Sequence, residues 1–177
     1  MLTLANRLTI LRILMTPVIT VLLLYRQTGA ALALFLLAGV TDGLDGLVAR
    51  WWGQKTELGM VLDPVADKLL LTSTLVTLTI LKELPRWFTI IVVSRDVLLI
   101  GGSVILYMFL GKIRSMPSWL GKFTTGFQLL TALSAMLDNF FRNLTVAILP
   151  LTVITLAFTV ASGLDYIYRG MQLLNDQ

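Results

Sequence analysis

Asp42-Gly43-Leu44-Asp45-Gly46-Leu47-Val48-Ala49-Arg50, followed after eight intervening residues by Gly59-Met60-Val61-Leu62-Asp63-Pro64-Val65-Ala66-Asp67, sets four carboxylates into the ends of two long apolar runs. Ionised side chains in apolar runs cost several kcal/mol unless paired, and they mark function by default. Asp96 and Asp165 also fall within or near such runs, so six of the ten acidic residues do.

The rest of the chain explains why those runs read as membrane spans. It has 177 residues, 56% of them hydrophobic and only 14% charged, with a mean hydropathy of +0.85. A soluble domain of this length carries far more charge. A helix needs about 20 apolar residues to cross the hydrocarbon. Six stretches supply them: Leu8 to Tyr25, Ala30 to Ala49, Leu58 to Leu81, Trp87 to Phe109, Phe123 to Phe141 and Thr145 to Tyr168. The expectation is an all-α integral membrane protein of six transmembrane helices, forming a single domain over residues 1–177. The first run continues through Pro17 as a full-length span without a small-residue cleavage site, which predicts no cleaved leader. Thr3 to Arg12, with Arg7 and Arg12 among Leu4, Leu8, Ile10 and Leu11, reads as a short interfacial helix before the first span, or as that span's basic start.

Orientation follows from the basic residues. Arg7, Arg12, Arg50, Lys55, Lys112, Arg114, Lys122 and Arg169 would lie on one side, and Arg26, Lys82, Arg86 and Arg142 on the other. The richer side is predicted to be cytoplasmic. Trp51, Trp52, Trp87 and Trp119 near the boundaries read as interfacial anchors. The net charge of +4 is scattered between spans rather than gathered in a stripe, which points to anionic lipid headgroups and away from nucleic acid.

With no Cys and no His, the chain has no thiolate or imidazole for metal binding, nucleophilic attack or proton transfer. Acid–base chemistry falls to carboxylates. At about 100° per residue, Asp42, Asp45, Gly46 and Ala49 share roughly 100° of helix arc, so small residues lie beside two carboxylates. Gly59, Asp63 and Asp67 repeat every four residues on one face of the next helix. A short connection from Trp51 to Leu58 predicts that the two helices are antiparallel neighbours. Asp42 would then face Asp67 roughly 19 Å from the connection, and Asp45 would face Asp63 at roughly 13 Å. Four carboxylates at paired depths require cations, and oxygen-only ligation favours two hard ions such as Mg²⁺ or Mn²⁺. Such a pair clamps the attacking and leaving oxygens of a phosphoryl displacement.

These residues match, at every fixed position, the signature of the CDP-alcohol phosphatidyltransferases, and Asn6-Arg7-Leu8-Thr9-Ile10-Leu11-Arg12 is similar to that family's N-terminal segment. The resemblance implies that Asp42, Asp45, Asp63 and Asp67 bind two metal ions and that Asp67 is also the general base. It further implies that Asp42, Gly46, Ala49, Arg50, Gly59 and Asp63 receive the cytidine diphosphate of CDP-diacylglycerol. An acceptor alcohol would attack, and CMP would leave. It also implies a homodimer in the bacterial cytoplasmic membrane with its site facing the cytoplasm.

For the acceptor, Arg95, Arg114, Ser118 and Lys122 are the candidates. Pro117-Ser118-Trp119-Leu120-Gly121-Lys122 resembles the family's Ser-x-x-Gly-Lys element, while Arg95-Asp96 reads equally as a structural ion pair. Lys68 either balances the acidic cluster or snorkels along another face. The N-terminal pattern points to glycerol 3-phosphate as acceptor. Two departures, Arg95-Asp96 in place of Arg-Glu and Thr124 in place of a second lysine, resemble the members that use phosphatidylglycerol. A divalent-cation transporter is the reading from another class, since intramembrane carboxylates also line ion paths.

Overall fold

The computed structural model describes the backbone of residues 4–52, 57–110, 119–138, 140 and 145–175, and the side chains of 9–41, 65–102, 119–138, 140 and 148–172. Among these residues there are six helices and no strand: α1 (Leu4–Leu24), α2 (Thr28–Trp52), α3 (Glu57–Ile80), α4 (Arg86–Leu110), α5 (Trp119–Asp138) and α6 (Thr145–Asn175). The apolar runs therefore become the helices that their spacing predicts. The separate interfacial helix is corrected: α1 runs unbroken from Leu4 past Arg12 to Leu24. Thr9, Arg12, Ile19 and Leu23 are all buried, at helical spacing, so the basic start shares the face that packs the rest of α1. Pro17 sits within α1 without ending it. It removes one backbone donor, while Thr16 and Thr20 on either side return hydroxyl hydrogen bonds of 3.0 Å to the carbonyls of Arg12 and Thr16.

The chain forms two compact units, Met1–Glu83 and Leu84–Gln177. In the first, α1 packs against both α2 and α3. Its apolar core includes Ile19, Leu23, Ala31, Phe35, Ala38, Leu75 and Leu78. Helices α1 and α3 close with the same cap: Gln27 N–H donates to the Leu22 carbonyl and Glu83 N–H to that of Leu78, each at 2.9 Å. The pattern is a Schellman motif with its left-handed residue at Arg26 (φ 59°) and Lys82 (φ 66°), where glycine is usual. Arg26 then bridges the two caps, donating to Glu83 Oε1 at 2.8 Å and to the Leu81 carbonyl at 3.4 Å. Because Arg12 also pairs with Asp67 fourteen residues earlier on α1, the two helices run parallel and nearly in register.

In the second unit α6 packs against α4 and α5. Helices α4 and α6 run parallel, meeting at Arg95 and Ser162 and again where Tyr166 covers Gly102. A Cβ at Gly102 would lie 3.0 Å from the Tyr166 ring, so the close approach depends on glycine there. Helices α5 and α6 run antiparallel along a polar seam. Thr124, Gln128 and Thr131 face Thr152, Thr155 and Thr159, all fully buried. Thr131 and Thr155 share a 2.9 Å hydrogen bond, Thr124 donates to the Phe158 carbonyl at 3.0 Å, and Phe127 stacks on Phe158 with centroids 4.8 Å apart. Small hydroxylated residues let helix backbones approach closely in an apolar medium.

Among the described residues, one helix, Ile148–Gln172, is long and apolar enough to cross a membrane by length and composition, and Thr9–Leu24 and Thr28–Thr41 are shorter apolar stretches. Helix α6 extends seven residues beyond the predicted span end at Tyr168. Arg169 bonds back to Asp165 at 2.9 Å and Gln172 to the Tyr168 hydroxyl at 3.1 Å, so polar pairs one turn apart carry the helix on.

Candidate active site

The four aspartates fall on two continuous helices, as their spacing requires: Asp42 and Asp45 on α2, Asp63 and Asp67 on α3. The side chains of Asp42, Asp45, Gly46, Ala49, Arg50, Gly59 and Asp63 lie outside the described residues, and so does the predicted facing of the two pairs. Asp67 is described. It stands ten residues, about 15 Å, along α3 from Glu57, beside the buried Ala66. Arg12 of α1 donates from a terminal nitrogen to Asp67 Oδ1. The guanidinium is 2% exposed and the carboxylate 45%, so the cation is sealed in and the anion is reachable.

Reading the sequence put Arg12 among the interfacial charges and missed this contact. The available signal was the phase of α1: Thr9, Arg12, Thr16, Ile19 and Leu23 recur every three or four residues on one face, with Ile10, Leu11, Leu14 and Val18 turned outward.

The donor set fits a hard divalent cation, because the carboxylates stand in a chain with neither Cys nor His. Asp67 keeps nearly half of its side-chain surface open while bonded to Arg12, and a carboxylate can accept at about four lone-pair positions. No three acidic side chains converge among the described residues, which hold only Asp67 of the four.

Of the acceptor candidates, Arg95 and Lys122 are described, and both belong to the second unit. Arg95 on α4 is buried, donating to Asp96 Oδ1 at 2.9 Å and, through its other terminal nitrogen, to the Ser162 hydroxyl of α6. Lys122 on α5 is exposed and stands 5.1 Å above the Trp119 ring, a cation–π contact at the start of the helix. Arg114 and Ser118 lie outside the described residues. Thr124 is fully buried, bonded to the Leu120 and Phe158 carbonyls, so that departure from the glycerol-phosphate pattern occurs at a helix contact.

An all-helical chain that carries this motif on two successive helices falls in one class: the chain belongs to the CDP-alcohol phosphatidyltransferase family, whose model matches residues 2–161. Along nearly its whole length it is similar to a probable phosphatidylglycerophosphate synthase of Mycobacterium tuberculosis. The two are 35% identical over 176 residues, which cover 96% of this chain and 82% of the relative. A CDP-diacylglycerol–glycerol-3-phosphate 3-phosphatidyltransferase of Aquifex aeolicus is 31% identical over 176 residues, covering 96% of each chain. The cardiolipin synthase (CMP-forming) of Homo sapiens is 32% identical over 194 residues, covering 98% of this chain and 64% of that one. Family membership makes the chain a transferase of phospholipid biosynthesis and decides against the divalent-cation transporter.

Proposed function

We propose that this enzyme transfers the phosphatidyl group of CDP-diacylglycerol to glycerol 3-phosphate and releases CMP. The observation that carries the reading is the complete family motif on α2 and α3, with its last carboxylate, Asp67, reachable. Asp42, Asp45, Asp63 and Asp67 would hold two Mg²⁺ or Mn²⁺ ions, which when bound neutralise the charge on the pyrophosphate. Asp42, Gly46, Ala49, Arg50, Gly59 and Asp63 receive the cytidine diphosphate. Asp67 takes the proton of the acceptor hydroxyl as its oxygen attacks the lipid-bearing phosphorus. The new P–O bond forms as the bond to the CMP oxygen breaks, and CMP leaves with that electron pair.

Acceptor binding falls to Arg114, Ser118 and Lys122, with Arg95 contributing if an anionic ligand replaces its bonds to Asp96 and Ser162. The second acceptor is phosphatidylglycerol, as in cardiolipin synthases. Arg95-Asp96 and Thr124 favour it, while the full-length match to the Aquifex enzyme favours glycerol 3-phosphate.

In this reading all six helices cross a bacterial cytoplasmic membrane, the site faces the cytoplasm, and two copies form a homodimer. The helices support spanning by length, at 20 to 31 residues each. So do the large apolar side chains turned outward, such as Leu14 on α1, Val97 and Leu98 on α4, and Leu149 and Leu164 on α6, all at least 62% exposed. A surface so apolar suits lipid.

CMP release by detergent-purified protein, with Mg²⁺ and CDP-diacylglycerol, separates the acceptors. Release with glycerol 3-phosphate alone supports the first, and release with phosphatidylglycerol alone supports the second. Release with neither rules out both.

A further inference from the structure

We propose that Arg12 is a positioning residue: its buried guanidinium, reaching across from α1, fixes the Asp67 carboxylate in the orientation that phosphatidyl transfer uses. The proposal rests on the reading of Asp67 as a site carboxylate. Among the described residues, Arg12 is the largest fully buried side chain, at 2% exposure. A guanidinium does not give up its charge, so in an apolar interior it must face an anion. The phase of α1 selects that direction, since Ile10 and Leu11 beside it point outward.

The pair is also lopsided. A contact that only ties two helices has no need of an accessible anion, yet Asp67 stays 45% exposed. The opposite arrangement exists in the same chain, where Arg95 and Asp96 are 8% and 7% exposed. Nor is Arg12 required to align α1 with α3, because Arg26 ties their caps through Glu83 and the Leu81 carbonyl, and Ile19 and Leu23 pack the face between. What Arg12 supplies is a fixed carboxylate. Holding the carboxylate restricts the rotamers of Asp67, which saves that entropy in the reaction, and its 45% exposure leaves it reachable by a cation. Hydrogen bonds that orient a ligating carboxylate are worth about 10-fold or more in metal affinity or activity.

The sign of the effect separates positioning from simple proximity. A guanidinium that was merely close would repel a divalent cation, and removing it would tighten binding. A positioning guanidinium does the reverse.

The test titrates Mn²⁺ into full-length detergent-purified protein and follows free Mn²⁺ by electron paramagnetic resonance, for wild type, Arg12→Gln, Asp67→Asn and the double variant. Arg12→Gln should weaken Mn²⁺ binding about 10-fold and lower kcat more than it changes KM for CDP-diacylglycerol. In the Asp67→Asn background it should have less than about 2-fold further effect, because the pair acts as one unit. Arg12→Lys, which keeps the charge without the planar fork, should lose part of the affinity and serves if Arg12→Gln does not fold. Unchanged or tighter Mn²⁺ binding in the Arg12 variants, or losses that simply add in the double variant, would overturn the proposal. A wild type that binds no Mn²⁺, or an Asp67→Asn that binds like wild type, overturns the site reading and the proposal with it.

Discussion

Each unit buries an arginine against an aspartate, and the two pairs are built differently. Arg12 and Asp67 are 55 residues apart, join α1 to α3, and leave the carboxylate 45% exposed. Arg95 and Asp96 are adjacent in sequence, both nearly sealed, and Arg95 continues to Ser162 on α6. A sealed pair balances its charges on itself. An open one keeps an anion available to something not yet bound. In the reading proposed above, exposure of the acidic partner, more than the presence of an ion pair, distinguishes Asp67 from Asp96.

The largest effect that distinguishes the two regions is removal of divalent ions. EDTA should abolish CMP release, and excess Mg²⁺ or Mn²⁺ should restore it, with melting of the protein in detergent changed far less than activity. Sealed pairs respond in stability instead. Asp96→Ala strands the Arg95 charge and should cost about 3–5 kcal/mol of stability, measured by denaturation in detergent, whereas Arg95→Met with Asp96→Leu should recover most of it. If that double variant is stable but has a raised KM for the acceptor, Arg95 joins the acceptor site as well. Thr131→Val removes the Thr131–Thr155 hydrogen bond and should cost about 0.6 kcal/mol. Lys122→Met, at an exposed position, should raise the acceptor KM by no more than about 5-fold and leave the KM for CDP-diacylglycerol unchanged.

Much of this architecture was legible from hydropathy. Long apolar runs separated by Gly, Pro and charged residues located all six helices: α3, expected from Leu58 to Leu81, runs Glu57–Ile80, and α4, expected from Trp87, begins at Arg86 just after Pro85. Helix ends were less legible. Phe140, inside the span expected to reach Phe141, lies in a turn, and α6 continues to Asn175 because pairs such as Asp165 with Arg169 stabilise a helix that hydropathy alone would end. The motif aspartates were readable because carboxylates repeated at spacings of three and four within apolar sequence are too costly to keep on one helix face unless something cationic meets them there.

Two features were hidden because they depend on which helix stands opposite. Arg12 looked like an interfacial charge until α3 brought Asp67 to it. Thr124 read only as a departure from a family lysine, and Thr131 carried no signal of its own, until α6 supplied the Phe158 carbonyl and Thr155. Local sequence gives the phase of a helix face, and only tertiary packing gives its partner.

The central claim, that the carboxylates ending at Asp67 carry phosphatidyl transfer, meets its most direct test in CMP release from CDP-diacylglycerol by Asp67→Asn. The measurement uses Mg²⁺, the accepted alcohol at saturation, and rates normalised to folded protein. The account predicts a loss of kcat of about 100-fold or more. Release at close to the wild-type rate would contradict it.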